Sequence, residues 1–168
     1  MYMPGKAICT SPKITSSLHA YEILKQVFNP NTIACQEEFI VLYLNNTNIP
    51  LGTYKAALGG ITGTVADVRL ILGTALKALA TGMIIAHNHP SGSLKPSDQD
   101  KSLTKKLKEA CSIMDIALLD HVIVSPYEGY FSFADEGLMW EKTPGKLGVY
   151  LLNNNIKWYW VKIFTSQY

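Results

Sequence analysis

The sequence predicts an α/β fold, a mixed β-sheet flanked by helices, on three observations. Apolar runs of strand length alternate with stretches whose apolar residues recur at helical spacing, the pattern of a sheet with helices packed on it. Residues 37–44 and 49–57 are separated only by the turn-forming Asn45-Asn46-Thr47-Asn48, so at least one strand pair is an antiparallel hairpin. With 168 residues, 48% of them apolar, the chain can fill one core but not those of two full domains.

Residues 1–15 hold two prolines and no clear period, and read as an irregular lead-in. Ser16-Ser17 can cap a helix with apolar positions Leu18, Tyr21, Leu24, Val27 and Phe28, ended by Asn29-Pro30-Asn31. Glu37-Glu38-Phe39-Ile40-Val41-Leu42-Tyr43-Leu44 is strand chemistry, and residues 49–57 are its return. Gly59-Gly60 and Gly63 make a flexible connection to an amphipathic helix over about 67–79. Its apolar face is Val68, Ile71, Leu72, Ala75, Leu76 and Leu79, and Thr81-Gly82 is its stop.

Met83-Ile84-Ile85-Ala86 reads as a short buried strand ending at His87. A Pro/Gly/Ser loop leads to a helix over about 98–114, whose polar face carries Lys101, Lys105, Lys106 and Lys108. A strand over 116–124 contains Asp120-His121, Glu128-Gly129 is a turn, and 130–133 is a last short strand. Residues 139–168 read as a divergent extension, two apolar strands around Asn153-Asn154-Asn155 that include Trp158 and Trp160.

Composition narrows the function classes. A net charge of +2 gives little support to an electrostatic nucleic-acid footprint. Cys9, Cys35 and Cys111 are isolated and form no CxxC pair, which speaks for reduced thiols rather than a thiolate metal site or a disulfide framework. No apolar run reaches the ~18 residues of a membrane-spanning helix, and the N-terminus has no hydrophobic core of signal-peptide type. The expected location is cytoplasmic.

The stretch that carries chemistry is Ala86-His87-Asn88-His89-Pro90-Ser91-Gly92, followed by Pro96-Ser97-Asp98-Gln99-Asp100. Residues i and i+2 of a strand share a face, so the rings of His87 and His89 can converge on one point. A carboxylate, Asp100, stands near the first turn of the next helix. Two imidazoles and a carboxylate, with a fourth position left to water, are the ligand set of a hydrolytic zinc. Asp100 also has a structural reading, since Ser97-x-x-Asp100 is a helix capping box and an aspartate suits the positive end of the helix dipole. Both readings hold together if that first turn faces back to the strand end. A zinc hydrolase further needs a base not locked to the metal. Glu37 and Glu38 are the candidates, and as strand neighbours they point to opposite faces, between which the residues alone do not choose. Neither H-E-x-x-H nor the nucleobase-deaminase pattern is present.

His87-x-His89, seven residues, Ser97, two residues and Asp100 together resemble the JAMM signature of the MPN/JAB metalloprotease fold. The fuller string resembles RadC-type JAB-domain proteins in particular. It comprises His-Asn-His-Pro-Ser-Gly, Pro-Ser-x-x-Asp, Leu-Leu-Asp-His-Val-Ile-Val and Tyr-Phe-Ser-Phe-Ala-Asp-Glu-Gly, within residues 16–138. The resemblance implies a three-layer, cytidine-deaminase-like architecture and a Zn²⁺ held by His87, His89 and Asp100. It also implies Glu37, in its Glu-x-Phe context, as general base ahead of Glu38. Ser97 would hydrogen-bond the developing oxyanion. The activity implied is hydrolysis of peptide or isopeptide bonds in a protein or peptide substrate, in the wider fold often at the tail of a ubiquitin-like protein. Asp120-His121 reads as a structural or supporting pair behind the ligands.

Longer RadC-type proteins carry an N-terminal helix-hairpin-helix segment of the DNA-binding kind, for which residues before Ser16 offer no room. The rival reading is a DNA-associated protein of repair, recombination or a mobile element, whose zinc is structural or vestigial. Its one support is the lysine face of the 98–114 helix, and such faces are usually only solvated. A catalytically silent scaffold for a ubiquitin-like partner ranks last, because silent members of the fold usually lack the ligands present here.

Overall fold

The computed structural model describes residues 12–59 and 66–139. Most of the expected lead-in, the connection through Gly60 and Gly63, and the expected tail hairpin with Trp158 and Trp160 lie outside the described residues. The elements in chain order are α1 (Ser17–Lys25), β1 (Glu38–Leu44), β2 (Pro50–Leu58), α2 (Val68–Lys77), β3 (Gly82–Asn88), α3 (Asp98–Ile113), β4 (Ala117–Val124) and β5 (Tyr130–Ser132).

The five strands form one mixed sheet in the order β2-β1-β3-β4-β5. β1 runs antiparallel to both β2 and β3, β3 is parallel to β4, and β5 returns antiparallel to β4. The parallel pair is joined by α3, as a parallel connection requires. The three central strands are apolar almost throughout because both faces are covered. On one face Ile40, Leu42, Leu44, Ile84, Ala86, Val122 and Val124 pack with Ala20, Tyr21 and Leu24 of α1. On the other, Phe39, Val41, Tyr43, Met83, Ile85 and Ile123 pack with Ile71 and Ala75 of α2 and Leu107 and Cys111 of α3. The α/β class and the mixed sheet flanked by helices are therefore as the sequence predicts, in three layers.

The element ends differ in instructive ways. α2 stops at Lys77, before the expected Thr81-Gly82, because Leu79 takes a left-handed conformation with φ 53°. The Ala80 N–H then returns to the Ala75 carbonyl and the Leu79 N–H to Leu76, a Schellman closure without glycine. Leu79 is thereby thrown off the apolar face and is 83% exposed. Asp115, φ 53°, closes α3 in the same manner through Ile116 N–H to the Cys111 carbonyl. α1 ends at Lys25, yet Phe28 still fills the core from the turn that follows. No helix among the described residues is long and apolar enough to cross a membrane.

Candidate metal centre

β3 delivers His87 at its C-terminal end, on the face shared with Phe39 and Ile85, where it is buried beside the Phe39 ring. The carboxyl ends of parallel strands, next to the start of the following helix, are where open α/β sheets place ligands. His89 lies one residue beyond β3 and continues the pairing, its N–H donating to the Val124 carbonyl at 3.1 Å. A turn then closes with Gly92 N–H on the His89 carbonyl. Gly92 is needed there twice over: its φ is +78°, and a Cβ would sit 2.7 Å from the Tyr127 ring.

Across the loop, α3 begins with a full capping box. Ser97 Oγ accepts from the Asp100 N–H at 3.1 Å, and the Ser97 N–H donates to Asp100 Oδ2 at 2.7 Å. The Ser97 hydroxyl also donates to Oδ2, at 2.7 Å. The helix-cap and ligand readings of Asp100 are thus compatible, because this first turn does face the strand end. Asp100 Oδ1 is 3.2 Å from His87 Nε2, and Oδ2 is 3.6 Å from His89 Nε2. The two Nε2 atoms are themselves 2.9 Å apart. One ligand atom from each of the three side chains falls within 4.8 Å of the others, a group that can hold a metal ion.

The electrostatics fit a cation at this point. His89 Nδ1 is 2.6 Å from the Ser93 carbonyl, which can only accept, so Nδ1 carries the ring hydrogen and Nε2 presents its lone pair when the ring is neutral. Burial alone would raise the Asp100 carboxyl; the imidazoles of His87 and His89 against it outweigh that and hold Asp100 far below the usual carboxylate range. Reciprocally, the Asp100 hydrogen bond raises His89 against its own burial. An anionic carboxylate and two imidazole nitrogens this close call for a positive charge between them, and the nitrogen and oxygen donors suit zinc.

The glutamates separate cleanly. Glu38 points to the opposite face of β1 from Phe39, where it is buried and paired with Lys55 at 2.7 Å and with the Thr32 hydroxyl at 3.2 Å. Glu37 lies on the His-bearing side, close enough for its charge to favour protonated His89. Asn88, between the two histidines, faces away from them. Its Nδ2 donates to the carbonyls of Ile33 and Gln36, and its Oδ1 accepts the Glu38 N–H. Sequence reasoning missed Asn88, although a polar residue inside a buried His-x-His is itself a signal. It also missed Thr104, one turn after Asp100 on the same face of α3. Asp120 and His121 both fall behind the site on β4, with Asp120 on the far face and His121 against His87. Of the lysines on α3, Lys101 is paired with Asp98, and Lys108 is bound to the Met139 carbonyl.

A model of the RadC-like JAB domain matches residues 14–138. A UPF0758 protein of Flavobacterium johnsoniae is 46% identical over 126 residues, which cover 75% of this chain and 53% of the relative. A UPF0758 protein of Porphyromonas gingivalis is 39% identical over 137 residues, 82% of this chain and 59% of the relative. The chain thus spans about half the length of the curated relatives it matches.

Proposed function

Since this chain belongs to the RadC-like JAB domain family, we propose that it is a zinc-dependent hydrolase of peptide or isopeptide bonds. His87, His89 and Asp100 hold the metal. The observation that carries the reading is the 2.9 Å approach of two imidazole Nε2 atoms beside an ionised carboxylate, an arrangement that a cation relieves. When bound, zinc supplies a Lewis acid that polarises a carbonyl and brings the pKa of a ligated water to about 7. Glu37, on the His89 side of the sheet, takes the proton of the attacking water and returns it to the leaving amine. Ser97 can turn its hydroxyl toward the developing oxyanion. The capping box survives that turn, because the Ser97 N–H still holds Asp100 Oδ2. The substrate is a protein or peptide, with the tail of a ubiquitin-like protein as one class to screen, and the reaction is expected in the cytoplasm.

Metal content by elemental analysis tests this. About one zinc per chain, largely lost in Asp100→Ala, together with cleavage abolished in Glu37→Gln at unchanged zinc content, is the expected result. Wild type that takes up no zinc on addition would overturn it.

A further inference from the structure

Behind the metal centre, buried side chains form a single hydrogen-bonded line whose direction can be deduced proton by proton. It starts at the main-chain carbonyl of Asp100, 2.6 Å from Thr104 Oγ1. Two oxygens that close need a hydrogen between them, and only the hydroxyl has one, so Thr104 donates to Asp100. The hydroxyl has no second hydrogen. In its other short contact, 2.6 Å to His121 Nδ1, Thr104 must accept, and His121 carries its hydrogen on Nδ1. His121 is fully buried between the rings of Phe39 and Phe133, where a neutral imidazole with one hydrogen is the favoured form. Its Nε2 is therefore an acceptor, and it lies 2.8 Å from His87 Nδ1. His87 must donate there. That leaves His87 Nε2 bare, facing His89 and Asp100.

We propose that Thr104 and His121 are positioning residues that fix His87 in the one tautomer able to ligate a metal through Nε2. The line begins on one ligand residue and ends on another, Asp100 of α3 and His87 of β3, with β4 supplying the link. His89 is set to the same tautomer more simply, by the Ser93 carbonyl in the loop. The reverse direction would put a hydrogen on His87 Nε2 and so close it to a metal, and it fails at the other end, where it would leave the Thr104 and Asp100 oxygens 2.6 Å apart with nothing between them. The proposal rests on His87 being a metal ligand. Its direction is already defined in the metal-free chain.

The test is nitrogen-15 NMR of the histidine rings in the metal-free full chain, above the histidine titration range, with zinc affinity measured by chelator competition. Wild type and Thr104→Ser should show His87 with hydrogen on Nδ1 and bare Nε2, with similar zinc affinity. Thr104→Val removes the acceptor for His121 and should give a mixed His87 tautomer with zinc binding weakened about 10–100-fold. Wild type with His87 hydrogenated on Nε2 would overturn the proposal, a result that needs no variant to fold. So would Thr104→Val losing affinity with its tautomer unchanged. Failure of zinc to bind a wild-type chain with the expected tautomer would overturn the metal reading itself, whereas tight binding by a chain with the opposite tautomer would overturn the relay alone.

Discussion

The main-chain N–H of Glu38 donates to Asn88 Oδ1 at 2.7 Å, and this bond, with that of the Gly59 N–H to the Glu37 carbonyl, holds the main chain on either side of the Glu37–Glu38 peptide. Asn88 thus anchors the segment that carries the proposed base, while the residues on either side of it supply the proposed ligands. Asn88→Ala would strand the Glu38 N–H and the carbonyls of Ile33 and Gln36. At about 1 kcal/mol for the buried N–H and less for each of the two part-buried carbonyls, the expected loss is about 1–3 kcal/mol in urea unfolding. Cleavage should fall further than zinc content, because the base is displaced and the ligands are not.

Glu37→Gln and Glu38→Gln should fail in opposite ways. Loss of a general base slows a reaction about 10²–10⁴-fold, and Glu37→Gln should do so with melting temperature and zinc content near wild type. Glu38→Gln breaks the pair with Lys55 and should lower the melting temperature while sparing the chemical step. Lys55 is half exposed, so the stability cost should be about 1–2 kcal/mol, below that of a fully buried pair. Equal kinetic loss in both variants would contradict the assignment of Glu37.

Gly92 and Tyr127 should show energetic coupling. In Gly92→Ala the new Cβ meets the Tyr127 ring at 2.7 Å and 2.9 Å, and the residue must also hold φ +78°. In a Tyr127→Ala background only the backbone strain remains, about 1–2 kcal/mol. A double-mutant cycle in thermal unfolding should therefore find Gly92→Ala less damaging once Tyr127 is gone. Additive costs would mean that the exposed ring simply swings aside.

Asp120 gives the fold a pH dependence of its own. Burial pushes its carboxyl up to about 7, against hydrogen bonds from the Ser132 hydroxyl and the N–H groups of Ala134 and His121. Between the usual carboxylate range and that value, the native chain keeps a proton that the unfolded chain has released. Stability from this group is therefore complete in acid and is lost as pH rises toward 7, at up to about 1.4 kcal/mol per pH unit. Asp120→Asn keeps an acceptor for both N–H groups and offers Ser132 a donor. Unfolding free energies of wild type minus Asp120→Asn, taken across that window, should slope downward with rising pH, and a flat difference would refute the raised carboxyl.

Much of this molecule could be read from local pattern. The elements followed from apolar period and turn residues, and the candidate metal cluster followed from His-x-His and a helix-capping aspartate, whose spacing needs no knowledge of distant pairing. The choice between Glu37 and Glu38 was different. It depends on which face of β1 meets α3, and that is set by pairing with β3, over forty residues away in the chain. Thr104 escaped for the same reason, and His121 could be read only as a supporting residue behind the ligands, since the line they form joins three elements. Leu79 misled because a left-handed helix end reverses the side that an apolar residue faces.

The capping box at Ser97 has a dynamic consequence. The first turn of a helix is ordinarily where it frays, and its amides are among the first to exchange with solvent. In α3 the side chain that holds this turn shut, Asp100, is the same one that faces His87 and His89. With a metal in place, the turn can unravel only by surrendering a ligand, so the exchange rates of the Asp100 and Lys101 amides, both held by Ser97, become a clock for how often the centre opens.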